Sequence, residues 1–286
     1  MNKIYLKNNH FLVSISKIGA EILSIENTNE NKHFLWSPNQ IHWNRTAPNL
    51  FPIVGRLKND EYQYDGQNFN MLQHGFARNM EFDVAHSTET SVSLILKNNE
   101  TTLQQFPFEF QLEISFILNE TSLDIHYDVM NLSKVEMPFS IGAHPAFAID
   151  KPLDSYQLIF DQSFTANRYL IDKGLYTGES ETVIENSNVL KLNSKLIEND
   201  AVVFKNPPFY SVTLAEINGN KLVTVSSSDF HYWGFWSKPD APFFCIEPWA
   251  GLADSVDSDG NLFNKEGIHA IKPNAFSKFS YSVEFH

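Results

Sequence analysis

Alternation of apolar and polar residues narrows most what this chain can fold into. Leu123, Ile125, Tyr127 and Val129 alternate with Asp124, His126 and Asp128, and Phe279, Tyr281, Val283 and Phe285 alternate with Ser280, Ser282 and Glu284. Successive side chains of a strand point to opposite faces, so each run predicts a strand with one buried face. Turn dipeptides that reach positive φ punctuate other runs. Asp65-Gly66 follows Glu61–Tyr64, and Asn218-Gly219 separates Leu214–Ile217 from Leu222–Val225, which predicts two β-hairpins. No window of roughly 12 residues or more keeps a 3.6-residue period, and there is no Pro/Gly/Ser-rich linker, low-complexity tract or short repeat. The expectation is an all-β fold: a single antiparallel domain over residues 1–286, built of many short strands.

Charge narrows the partners. Lys and Arg number 21 against 34 Asp and Glu, a net charge of −13, which repels nucleic acid and anionic membrane alike. Met1-Asn2-Lys3-Ile4-Tyr5-Leu6-Lys7 lacks the apolar core of a signal peptide, and no apolar run is long enough to span a bilayer, so a soluble cytoplasmic protein is expected. The single cysteine, Cys245, has no intramolecular disulfide partner, and Phe243-Phe244-Cys245-Ile246 reads as the setting of a buried structural thiol. The 24 Phe and 5 Trp can fill a sandwich core or line a cleft that takes an apolar sugar face.

Four polar residues stand in apolar or turn-like contexts where strand pairing does not need them: Arg56 after Ile53-Val54-Gly55, His74 in Gln73-His74-Gly75-Phe76-Ala77-Arg78, His144 in Gly142-Ala143-His144-Pro145, and Glu247 in Cys245-Ile246-Glu247-Pro248-Trp249. A polar group in such a run needs a partner or a cleft. Taken singly, each also reads as an ordinary structural residue: a hydrogen-bonded His, a turn carboxylate, a surface ion pair. The other histidines lack a motif. No His-x-x-x-His, Cys cluster or calcium loop is present, so no metal is expected, and Asp254 to Gly260 reads as a solvated turn. Dinucleotide, Walker A and nucleophile-elbow motifs are absent too.

Taken in chain order, these contexts resemble the aldose 1-epimerase (galactose mutarotase-like) family, and in particular its LacX-like branch. Gly55-Arg56 is similar to the family's Gly-Arg substrate segment, His74-Gly75 to its first histidine, and Gly142-Ala143-His144-Pro145-Ala146-Phe147 to its second. Asn199-Asp200-Ala201-Val202-Val203-Phe204 resembles the segment with the sugar-binding aspartate, and Ile246-Glu247-Pro248-Trp249 the segment with the catalytic glutamate. The resemblance implies a β-supersandwich and a cofactor-free mutarotase acting on a small sugar or sugar phosphate, as a monomer or homodimer. It casts Glu247 as base on the anomeric hydroxyl, His144 as acid on the ring oxygen and His74 as stabiliser of developing charge, with Arg56 and Asp200 orienting the sugar hydroxyls. Trp249, then Trp233 or Trp236, is the aromatic expected to pack on the sugar.

One departure bears on the substrate. The second arginine that galactose mutarotases carry after Gly-Arg is absent, and Leu57-Lys58-Asn59-Asp60 stands there instead. His74-Gly75-Phe76-Ala77-Arg78 is similar to hexose-6-phosphate mutarotase-like members, which makes Arg78, helped by Arg56 or Lys58, a candidate for phosphate; the other reading pairs Arg78 with Glu81 or Asp83. A non-catalytic sugar-binding module and a glycoside hydrolase using Glu247 with Asp200 or Asp254 are the rival functions.

Overall fold

In a computed structural model, residues 2–198 and 200–286 are described. Both alternating runs are strands, Ser122–Asn131 and Phe276–Phe285, and they pair antiparallel with Leu123 opposite Val283. Both hairpins form as well, Glu61–Tyr64 with Gln67–Asn70 and Ser211–Glu216 with Lys221–Ser226. Only two short α-helices occur among the described residues, Glu100–Gln105 and Ser194–Ile197. The first starts at an Asn99–Thr102 capping box that satisfies its free N–H groups. No helix among the described residues is long and apolar enough to cross a membrane.

Two sheets carry the architecture. The larger has nine strands, from Leu175–Lys191 at one edge through Tyr156–Asp172, Ser211–Glu216, Lys221–Ser226, Phe276–Phe285, Ser122–Asn131, Phe110–Leu118 and Ser91–Lys97 to Asp83–Ser87. The second runs Val202–Lys205, Tyr232–Trp236, Phe243–Ala250, Ile141–Ala143, Asn49–Leu50, with Ala146–Ala148 also on Phe243–Ala250. Every strand pair in both is antiparallel.

One apolar core joins the two sheets and draws residues from Leu6 to Phe285. Phe160 of the large sheet meets Phe235 of the smaller at 6.0 Å between ring centres, edge to face. Tyr127 is fully buried on the large sheet, and its hydroxyl hydrogen-bonds Asn49 Oδ1 of the smaller at 2.6 Å. That pairing satisfies two polar groups that would otherwise be stranded in the interior. The paired strands Tyr156–Asp172 and Leu175–Lys191 reach well beyond the core, and Ile171, Gly174 and Tyr176 at their joined end wall a cleft on the smaller sheet.

Candidate active site

Strand Phe243–Ala250 is buried along its whole length, so both faces must be matched. Phe244 and Ile246 enter the main core, while Phe243, Cys245, Glu247 and Trp249 alternate onto the other face. The Trp249 indole fits there because the flanking strands present glycine to it. A Cβ on Gly142 would lie 2.7 Å from the indole ring and one on Gly234 2.6 Å, both inside van der Waals contact. Glu247 and Trp249 open into a cleft of about 340 Å³ shared with His74, Arg78, His144 and Asp200. These six residues singled out in the sequence therefore converge.

His144 follows strand Ile141–Ala143, and its N–H donates to the Pro48 carbonyl at 3.2 Å. Its Nε2 lies 3.2 Å from Glu247 Oε2 without the alignment of a hydrogen bond. Both carboxylate oxygens of Glu247 and Nδ1 of His144 are buried with no partner. Such orphans cost stability, and they cluster where a ligand is to supply the missing bonds. Burial pushes the Glu247 carboxyl well above the usual carboxylate range, and the nearby Asp200 carboxylate acts in the same direction. Burial likewise lowers His144 to about 3. Both shifts favour the neutral forms, in which the pair holds one proton and no net charge.

His74 adopts a left-handed backbone, φ 68°, and is clamped twice to Gly55. Its N–H donates to the Gly55 carbonyl at 2.9 Å, and the Gly55 N–H donates to His74 Nδ1 at 3.1 Å. Because Nδ1 accepts, the neutral ring carries its proton on Nε2. Burial holds this ring well below the ordinary histidine range, with His144 and then Arg78 adding repulsion. Asp200 Oδ1 accepts the Ala201 N–H at 2.7 Å, and burial raises the carboxyl. Asn199, quoted with it in the sequence motif, lies outside the described residues.

Arg78 donates to the Gln73 carbonyl at 2.7 Å, its Nε is buried without a partner, and among the described residues no carboxylate pairs with it. The surface pairing with Glu81 expected as one reading does not form, since Glu81 takes Lys17 at 2.8 Å. Burial lowers the Arg78 guanidinium below the usual range, and Arg45 repels it further.

Arg56 departs from expectation. Consecutive left-handed residues Asn59 and Asp60 fold the Asp60 carboxylate back onto it, and Nε and Nη2 each donate to Asp60 at 2.8 Å. With Nη1 on the Lys173 carbonyl at 3.2 Å, the guanidinium braces the wall of the cleft and does not line it. Lys58 also points elsewhere, its Nζ donating to the Ser258 carbonyl at 3.1 Å. Asp254 is no solvated residue: it is 4% exposed and pairs with buried Lys265 at 2.8 Å. That commitment removes it as a partner carboxylate for Glu247. Among the tryptophans, Trp236 and Trp249 line the cleft, while Trp233 packs on Phe209 at 5.3 Å in the core.

Sequence reasoning missed Trp43, Gln73 and Tyr176, which also line the cleft. The Trp43 ring lies over His144 at 4.8 Å, and Trp236 meets the same imidazole edge-on at 5.5 Å. A tryptophan within the polar stretch Asn39-Gln40-Ile41-His42-Trp43-Asn44-Arg45 was the available signal, because an aromatic in a polar loop needs a surface to cover. The sequence also predicted no metal cluster, yet His144, Cys245 and Glu247 each offer a ligand atom, all within 4.8 Å of one another.

The chain resembles known proteins along nearly its whole length. The family model for aldose 1-epimerase matches residues 2–267. A galactose mutarotase related enzyme from Lactobacillus acidophilus is 34% identical, the match covering 99% of this chain and 97% of that one, with a TM-score of 0.94. A galactose mutarotase-like protein from Lactobacillus casei is 32% identical, with 99% and 100% covered and a TM-score of 0.94. The chromosomal protein LacX of Lactococcus lactis subsp. lactis is 32% identical over 98% of both chains. With these matches along nearly its whole length and an antiparallel all-β architecture of the galactose mutarotase type, the chain belongs to the aldose 1-epimerase family.

Proposed function

We propose that the protein is a mutarotase that interconverts the α and β anomers of an aldose, with Glu247 and His144 as the proton-transfer pair. The observation that carries this reading is a carboxyl and an imidazole 3.2 Å apart, buried and short of hydrogen-bond partners, in a cleft of sugar size. Mutarotation requires removal of the proton on the C1 hydroxyl and protonation of the ring oxygen, which opens the C1–O bond to the free aldehyde. One base and one acid suffice.

A bound sugar supplies the polar contacts that the pair lacks. Passage of the shared proton to His144 then leaves a carboxylate to take the C1 hydroxyl proton and an imidazolium to protonate the ring oxygen. Rotation about C1–C2 and reclosure with the roles reversed gives the other anomer. His74, held with its proton on Nε2, donates to the oxygen on which charge develops. Asp200 orients hydroxyls, and Trp249 or Trp236 packs on the apolar sugar face. Polarimetry or NMR on freshly dissolved single-anomer aldoses, free and phosphorylated, tests the proposal; His144→Ala should slow the accepted sugar by about 10² to 10⁴. Turnover unaffected by that change, or no acceleration of any sugar in the panel, refutes it.

A specific observation favours a phosphorylated aldose as a second reading. Arg78 is a largely buried cation on the cleft wall, and among the described residues no carboxylate forms an ion pair with it. A planar guanidinium with free N–H groups matches a phosphate.

A further inference from the structure

We propose that His144, Cys245 and Glu247 form a binding site for a thiophilic divalent cation of the zinc class, which silences the proton-transfer pair while it is bound. Cys245 and Glu247 are two residues apart on one strand and so share its face, and His144 approaches that face from the neighbouring loop. One ligand atom from each of the three lies within 4.8 Å of the others. The 3.2 Å between His144 Nε2 and Glu247 Oε2 already matches the spacing of two ligands on a tetrahedral zinc ion, about 3.3 Å for bonds of about 2.0 to 2.1 Å. The sulfur has to move in by at most about 1.3 Å to reach the spacing of a Zn–S bond of about 2.3 Å.

Two further observations point to a ligand. Both Glu247 oxygens are buried without partners, and the residue is only 1% exposed. Cys245 is a free, fully buried thiol whose packing neighbours, Trp36, Phe243 and Ala146, give it no hydrogen-bonding work.

The charge balance favours the ion. Binding forms one Zn–S, one Zn–N and one Zn–O bond. The thiol proton and the single proton of the His144/Glu247 pair leave to solvent, and a water from the cleft completes four ligands. A dication with one thiolate and one carboxylate sums to zero, so the complex leaves no uncompensated charge in the interior. Mg²⁺ and Ca²⁺, which take all-oxygen shells of six or more ligands, are disfavoured by a thiolate and an imidazole. Silencing rests on the mutarotase reading, because a ligated imidazole and carboxylate cannot pass a proton; occupancy of the site does not.

Cobalt(II) is the probe. Titration of the purified protein should give a thiolate-to-cobalt charge-transfer band in the near ultraviolet and strong visible bands of four-coordinate cobalt, at one equivalent, with zinc displacing both. Cys245→Ala should abolish the ultraviolet band and weaken zinc binding by at least about tenfold, while metal-free turnover is retained. Cys245→Ser serves the same comparison should the alanine variant fold poorly. Zinc should inhibit the wild type reversibly, with EDTA restoring activity and Mg²⁺ having no effect. No cobalt bands, or bands and zinc affinity unchanged in the cysteine variant, overturn the site. Bands without inhibition overturn the silencing and leave the site standing. The spectra use no sugar, so a failed mutarotase assay would leave the metal result intact.

Discussion

Glu247→Gln separates chemistry from stability at the centre of the cleft. The amide keeps the volume and shape of the side chain but can neither take the proton of the anomeric hydroxyl nor exchange one with His144. General acid–base catalysis is worth about 10² to 10⁴ in rate, or about 2.7 to 5.4 kcal/mol of barrier, so the anomerisation rate should fall by that factor. Stability should move the other way. In the unfolded chain the carboxyl ionises near 4.5, whereas in the fold burial and the Asp200 charge keep it protonated to a well higher pH. Between those two values unfolding releases a proton, so wild-type stability falls as pH rises, by about 1.4 kcal/mol per pH unit. The amide variant has no such penalty. Its advantage over wild type should therefore be small below pH 4.5, grow above it and level off at the folded-state pKa. Urea unfolding at several pH values between about 4 and 9, with polarimetry on the accepted aldose, measures both effects. Retained turnover would refute the assignment of Glu247, and a stability difference independent of pH would refute the argument that its burial raises the carboxyl.

On the phosphosugar reading, Arg78→Ala should lower kcat/KM for a hexose 6-phosphate at least about tenfold and leave the free sugar nearly unchanged, since a charge-assisted contact is worth roughly 1.5 to 3 kcal/mol. Equal small losses on both substrates would leave Arg78 a wall residue. Lys265→Met strands the buried Asp254 carboxylate, which would then keep only the Lys58 N–H at 2.9 Å. The expected cost is about 3 to 5 kcal/mol in urea unfolding, and a loss below about 1 kcal/mol would show the pair to be solvated. Because one core draws residues from Leu6 to Phe285, we propose that the chain folds as one domain. Calorimetry should then show a single transition with equal calorimetric and van't Hoff enthalpies, and two resolved transitions would count against it.

Strands and turns were legible in the sequence because their causes are local. Alternation in 123–129 and 279–285 follows from the pleat, and Asp65-Gly66 and Asn218-Gly219 supply backbone angles that few other residues reach. The pairing of those two strands with each other was not legible, since both carry the same pattern and only packing across the core selects the partner. The site divides along the same line. His74, His144, Asp200 and Glu247 stand out as polar groups in apolar or turn-like contexts, which is a property of neighbours along the chain. Whether a side chain reaches the cleft depends on neighbours in space. Arg56 meets Asp60 because two left-handed residues turn the chain back, and Asp254 is buried because Lys265 comes up beside it. Trp43 covers His144 from a distant loop, and Cys245 becomes a candidate ligand only when Ile141–Ala143 pairs beside Phe243–Ala250 and sets an imidazole next to it. The sequence alone therefore determined the alternating strands, the two hairpins and which polar groups need a partner or a cleft. The tertiary structure decided which of those groups share one, because that depends on contacts between residues far apart in the chain.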